Sequence, residues 1–88
     1  MAEMYTNTDD YGNKYYYKDP GKRILHREDG PAIEYYGGTK EWLRHGLRHR
    51  LDGPAVKYSS GSESWYVDGI HLFSANKDKI LQTRMHYV

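Results

Sequence analysis

Two segments decide the architecture of this chain: His26-Arg27-Glu28-Asp29-Gly30-Pro31-Ala32-Ile33 and His49-Arg50-Leu51-Asp52-Gly53-Pro54-Ala55-Val56. They are offset by 23 residues, and the same offset joins Tyr35 to Tyr58, Gly38 to Gly61, Trp42 to Trp65 and Gly46 to Gly69. So many coincident Gly, Pro and Trp positions mark an internal repeat. A repeat of this period implies stacked copies of one supersecondary unit. A degenerate copy lies upstream: Gly12, Lys14 and Tyr16 approach His26 as Gly38, Lys40 and Trp42 approach His49, with three extra residues around Asp19-Pro20-Gly21. Another copy opens at Trp65 and stops after Gly69, with His71 and Leu72 standing where Arg48 and His49 stand one unit earlier.

Within a unit, Ala32-Ile33-Glu34-Tyr35-Tyr36, Ala55-Val56-Lys57-Tyr58 and Glu63-Ser64-Trp65-Tyr66-Val67 are rich in β-branched and aromatic residues. Gly37-Gly38-Thr39 and Ser59-Ser60-Gly61-Ser62 are short Gly-bearing connections of the kind that close β-hairpins. Each unit therefore reads as one antiparallel hairpin. Its first strand follows Gly-Pro-Ala, its second carries the Trp, and the segment from Gly46 to Pro54 returns the chain to the next unit. In the Asp-Gly-Pro step, Asp bonds nearby backbone N–H groups, Gly accepts unusual φ, and Pro needs no N–H at the start of a strand. Arg27 with Asp29, and Arg50 with Asp52, are expected to pair locally.

Composition narrows the class. Leu, Ile, Val and Phe supply only 14 of 88 residues, against ten Tyr and two Trp. The apolar stock is aromatic, which excludes a Leu-rich helical bundle and favours sheet. A net charge of +1 from 13 Lys+Arg and 12 Asp+Glu is neither the imbalance of a disordered chain nor the footprint of a nucleic-acid binder. There is no cysteine, so no disulfide or thiolate metal site. No apolar run approaches the ~20 residues of a membrane span, and no apolar segment follows Met1. The expectation is a mainly β, single domain over 1–88. Residues 1–11 are read as loose, 12–73 as stacked antiparallel hairpins, and 74–84 as a short helix capped by Ser74, with Ile80 and Leu81 on a narrow apolar stripe.

The spacing Gly38-x-x-x-Trp42-x-x-x-Gly46-x-x-His49, returning after 23 residues, resembles the MORN repeat (membrane occupation and recognition nexus). It is closer to a variant carrying His-Arg-x-Asp-Gly-Pro-Ala segments, which occurs in bacterial and bacteriophage proteins. The likeness covers Gly12 to Gly69. It departs from the common pattern at Arg27 and Arg50, where Gly usually follows the His. The resemblance implies an elongated hairpin sheet, a scaffolding or binding role through protein contacts, and no catalytic residues to carry over. It also implies a cytoplasmic setting in a bacterial cell or phage-infected host, with a phage or bacterial inhibitor or adaptor as one version of the role.

The candidate site residues follow from exposed chemistry. Stacked units should line aromatics on an open sheet surface, and exposed aromatic patches commonly mark interaction sites. Tyr35, Trp42, Tyr58, Trp65 and Tyr66 are therefore the expected protein-binding set, with Arg44, Arg48 and Arg50 as an electrostatic rim. The alternative makes Arg44-His45-Gly46-Leu47-Arg48-His49-Arg50 a grip for nucleic acid or a small anionic nucleotide. His26 and His49, each with Asp three residues on, have the residue types of a metal site or a general base. Their place in the repeat explains them structurally, so no metal, cofactor or enzymatic activity is expected. Open strand edges make homodimerisation a further expectation.

Overall fold

The computed structural model describes residues 5–72. Among these the chain forms β1 (Tyr5–Thr8), β2 (Lys14–Tyr17), β3 (Ile33–Glu34), β4 (Lys40–Glu41), β5 (Leu43–Arg44), β6 (Leu47–Arg48), β7 (Val56–Lys57), β8 (Glu63–Val67) and β9 (Ile70–Leu72). All pairings are antiparallel. Seven strands make one sheet in the order β1-β2-β3-β4-β7-β8-β9, and β5 pairs with β6. The fold is thus mainly β and built of antiparallel hairpins, as the repeat requires. The expected helix over 74–84 lies outside the described residues. At the other end, the sheet starts earlier than position 12. Tyr5–Thr8 pairs with β2, and Asp9 anchors the turn by accepting the backbone N–H groups of Tyr11 and Asn13 at 3.0 and 2.9 Å.

Two kinds of turn alternate. At one end of the sheet, three-residue loops close on glycine: Gly38 donates to Tyr35 O and Gly61 to Tyr58 O, both at 2.9 Å, with φ of 106° and 97°. These are the Gly-bearing connections read from the sequence. At the other end lie two-residue turns, His45-Gly46 and Asp68-Gly69, with φ of 52° and 81°, and 50° and 81°. Positive φ at both central residues is the type I′ geometry that matches strand twist. Here the structure corrects the expectation that Gly46 to Pro54 is only a return segment. Leu47–Arg48 is strand β6, and the strand carrying Trp42 runs directly into a second hairpin.

The corner after each hairpin is identical in the two units. Arg27 Nε donates to Asp29 Oδ1 at 3.1 Å, and its Nη1 donates to Pro31 O at 3.2 Å. Arg50 repeats this on Asp52 and Pro54 at 3.0 and 3.1 Å. Each guanidinium also lies over an aromatic ring of the preceding unit, Arg27 on Tyr16 and Arg50 on Trp42, both 3.9 Å from the centroid. Tyr16 therefore takes the role of Trp42 in the degenerate unit. That unit's three extra residues are absorbed by a loop in which Asp19 accepts the N–H of Ile24 and Arg23, contacts that hold its carboxyl below the usual range. Between the aromatics sit Ala32 and Ala55, both fully buried. The aromatic–alanine alternation lets the rings and guanidiniums cover the sheet without a second layer.

Candidate functional site

Strand alternation sorts the side chains onto two faces. The register row Tyr15, Ile33, Glu41, Val56, Ser64 lies on one, and Lys14, Glu34, Lys40, Lys57, Glu63 on the other. Continuing by steps of two, Tyr35, Tyr58 and Tyr66 join the first face, and Trp42 and Trp65 the second. The expected five-residue aromatic set is thus divided by the sheet. Trp65 and Tyr66 are consecutive in β8 and so point to opposite sides.

The tyrosine face carries a polar chain. Tyr35 OH donates to Glu41 Oε2 at 2.6 Å, and Arg48 Nε donates to Glu41 Oε1 at 2.7 Å. Arg48 Nη1 donates to Tyr66 OH at 3.2 Å, and the Tyr66 ring stacks on His71 at 4.8 Å. Burial, reinforced by the Glu41 carboxylate, pushes the Tyr35 phenol up to about 12. Glu41 is buried, Tyr35 and Tyr66 are half-buried, and Tyr58 is exposed. The result is a surface on which Tyr35 and Tyr66 are held by their hydroxyls and Tyr58 stands exposed beside them.

The opposite face holds a cleft of about 560 Å³ between the two Asp-Gly-Pro corners, lined by Arg27, Trp42, Arg44, His49, Arg50 and Leu51 among others. Its cations have counter-ions. Arg27 and Arg50 are held by Asp29 and Asp52, and Arg44 Nη2 lies 3.7 Å from Glu28. The basic cluster read from Arg44 to Arg50 is therefore not one patch. The β5–β6 register sets Leu43 opposite Arg48 and Arg44 opposite Leu47, which sends Arg44 and Arg48 to different faces. Arg48 serves the tyrosine chain, while Arg44 and Arg50 line the cleft.

The two repeat histidines hold turns. His26 Nδ1 accepts the backbone N–H of His45 at 2.9 Å, and His49 Nδ1 accepts that of Asp68 at 3.0 Å. The accepted N–H belongs in both cases to the first positive-φ residue of a type I′ turn. Burial lowers the His49 pKa, the direction that favours the neutral imidazole able to accept. Among the described residues, no group of three or more His, Asp or Glu is placed to hold a metal ion. Nor, among them, is any helix long and apolar enough to cross a membrane.

Sequence reasoning missed two surface aromatics. Tyr11 and Tyr36 are 81% and 82% exposed at the three-residue turns, and the Tyr36 ring lies against Gly12. The signal was an aromatic residue immediately before the turn glycines, at Tyr11-Gly12 and Tyr36-Gly37. It also missed the row Ile24, Leu47 and Ile70, which are 40%, 49% and 66% exposed and follow the 23-residue step. No family model, curated protein or solved structure matches the chain.

Proposed function

We propose that this chain is a non-enzymatic docking module of MORN-like hairpins whose tyrosine face, with Tyr35, Tyr58 and Tyr66, binds a partner protein. The observation that carries this is the Tyr35–Glu41–Arg48–Tyr66 chain. The counterparts of Glu41 and Arg48 one unit later are Ser64 and His71, so the repeat does not require the pair. Sinking a carboxylate into the sheet face carries a desolvation cost. A fold that does without it in the next unit has another reason to keep it, and pre-oriented tyrosines suit an interface core.

Internal pairing of Arg27, Arg44, Arg48 and Arg50 argues against a phosphate grip, since a nucleic acid would have to displace existing carboxylates. Trp42 supports the module differently from Tyr58. Arg50 covers it, so it serves the packing of the corner rather than an open surface. A phage or bacterial inhibitor or adaptor acting in the cytoplasm is the narrower form of the proposal.

The test is capture of partners from a bacterial host extract, with and without nuclease, by the wild-type chain, Tyr58→Ala and Arg44→Gln. Docking predicts a nuclease-resistant protein retained by Arg44→Gln and lost with Tyr58→Ala. Recovery that depends on nucleic acid and fails with Arg44→Gln supports the anion-binding alternative instead.

A further inference from the structure

We infer that the chain forms a two-fold dimer by pairing β1 with β1 of a second copy, Asn7 opposite Asn7, so that the two sheets join into one. The inference goes beyond the docking proposal and requires no other protein. It names the edge of the sheet that is used and the register in which it is used.

The phase of the backbone hydrogen bonds sets what this edge offers. In an antiparallel pair, opposed residues either bond each other or both turn away. Asp9 N–H donates to Asn13 O at 3.0 Å, so Asn7 and Tyr5, on the same phase, bond inward to β2. Tyr16 donates to Ala32 O at 2.8 Å and accepts from His26 N–H at 3.0 Å, both on the side away from β1. Thr6, opposite Tyr16, therefore turns its own N–H and C=O outward, and so does Thr8 two residues on. β1 ends the sheet, both threonines are exposed, and among the described residues their outward groups have no partner.

Nothing on β1 repels a copy of itself. Exposed strand edges are commonly guarded by charge, proline or a bulge. β1 reads Tyr5-Thr6-Asn7-Thr8, pairs with β2 without interruption, and carries none of these. In the cross-sheet row Thr8, Lys14, Glu34, Lys40, Lys57, Glu63, every strand brings a charge except β1. The register follows from the outward groups. With Asn7 opposite Asn7, Thr6 exchanges both backbone bonds with Thr8 of the second copy, and Thr8 does so with its Thr6. A shifted register pairs one threonine with itself and carries the other past the end of β1. Threonine opposite threonine is also a favourable cross-strand pair. Opposed residues share a face, so Asn7, Tyr15 and Tyr17 of both copies lie on one side of the joined sheet. The two tyrosine faces then form one continuous surface.

Sedimentation velocity on the full chain tests this. One short strand pair is a small interface, so the shift from one copy to two should fall between about 10 μM and about 1 mM. Thr6→Pro removes only an outward N–H, and proline is tolerated where a strand's N–H faces solvent. It should weaken association by about tenfold or more. Asn7→Lys and Asn7→Glu each set like charges face to face at the two-fold and should weaken association by about threefold or more. An equimolar mixture of those two should associate at least as tightly as the wild-type chain. Thermal melts of each variant at the lowest concentration check that the fold is kept; where Thr6→Pro loses it, the Asn7 pair decides. A wild-type chain that stays single throughout, including one whose β1 accepts only a strand of another protein, overturns the inference. So does a dimer indifferent to Thr6→Pro and to charge at position 7, or a mixture that associates no better than its components.

Discussion

Replacing Gly53 with alanine isolates the corner on which the repeat turns. Gly53 does not occupy the left-handed region, so its backbone accepts a side chain. What stands in the way is Arg50: a Cβ would lie 2.8 Å from its Cζ and 3.1 Å from Nε and Nη1. The guanidinium must move, and it then leaves Asp52, Pro54 O and the Trp42 ring together. The Asp52 carboxylate is mostly exposed, so that pair contributes under about 1 kcal/mol. The bond to Pro54 O is worth about 1 kcal/mol and the cation–π contact about 0.5–1 kcal/mol. Set against the roughly 0.4–1 kcal/mol that alanine gains by restricting the unfolded chain, Gly53→Ala should therefore destabilise by about 1–1.5 kcal/mol, a fall of about 5–10 °C in Tm for a domain of this size. In an Arg50→Ala background the obstruction is gone. The same substitution should then stabilise by about 0.4–1 kcal/mol, through lost freedom of the unfolded chain. Thermal melts of the four proteins of this cycle measure the coupling. An equal loss in both backgrounds refutes the corner mechanism. Gly30→Ala, with a Cβ 3.0 Å from Arg27 Cζ, should follow the same pattern in its own unit.

Glu41→Ser should cost about 1–2 kcal/mol by chemical denaturation, because Tyr35 and a partly exposed Arg48 lose their acceptor. Transplanting both residues of the next unit, as Glu41→Ser with Arg48→His, should recover most of that loss while weakening partner binding. Lys57 lies opposite Lys40 on β4 and Glu63 on β8, so Lys57→Glu trades one like-charge pair for another and should change stability by less than about 0.5 kcal/mol, read from the same melts. His49 has a folded pKa below its unfolded value of 6.5, so its contribution to stability is complete above 6.5 and is lost as pH falls through the lowered value. Urea melts from about pH 8 to about pH 5 should show that decline, and His49→Asn should flatten it.

Much of the fold was legible because the repeat is written in residues with strong backbone meaning. Gly38 and Gly61 marked hairpin turns, and the Asp-Gly-Pro steps marked the entry to each first strand. The pairing of Arg27 with Asp29 and of Arg50 with Asp52 also followed from spacing. The second hairpin was harder to see, since His45-Gly46 lacks the Asn-Gly or Asp-Gly signature of a type I′ turn. Its counterpart Asp68-Gly69 does carry that signature and shows, through the 23-residue offset, what position 45 must do. The aromatic set spans both faces of the sheet, because the reading from the 23-residue spacing did not sort consecutive strand residues by face; alternation separates Trp65 from Tyr66. The Arg44–Arg50 run looked like one cationic patch because composition counts charges and not partners. Glu28, Glu41 and Asp52 come from other segments or across a turn and neutralise it.

The most direct measurement is the scalar coupling across N–H···N hydrogen bonds in the ¹⁵N-labelled chain at neutral pH. If one set of contacts is truly copied every 23 residues, couplings will connect the His45 amide nitrogen to His26 Nδ1 and the Asp68 amide nitrogen to His49 Nδ1. Absence of both, with either Nδ1 resonating as a protonated nitrogen, would show that the histidines do not hold the turns and that the stacked units are not built alike.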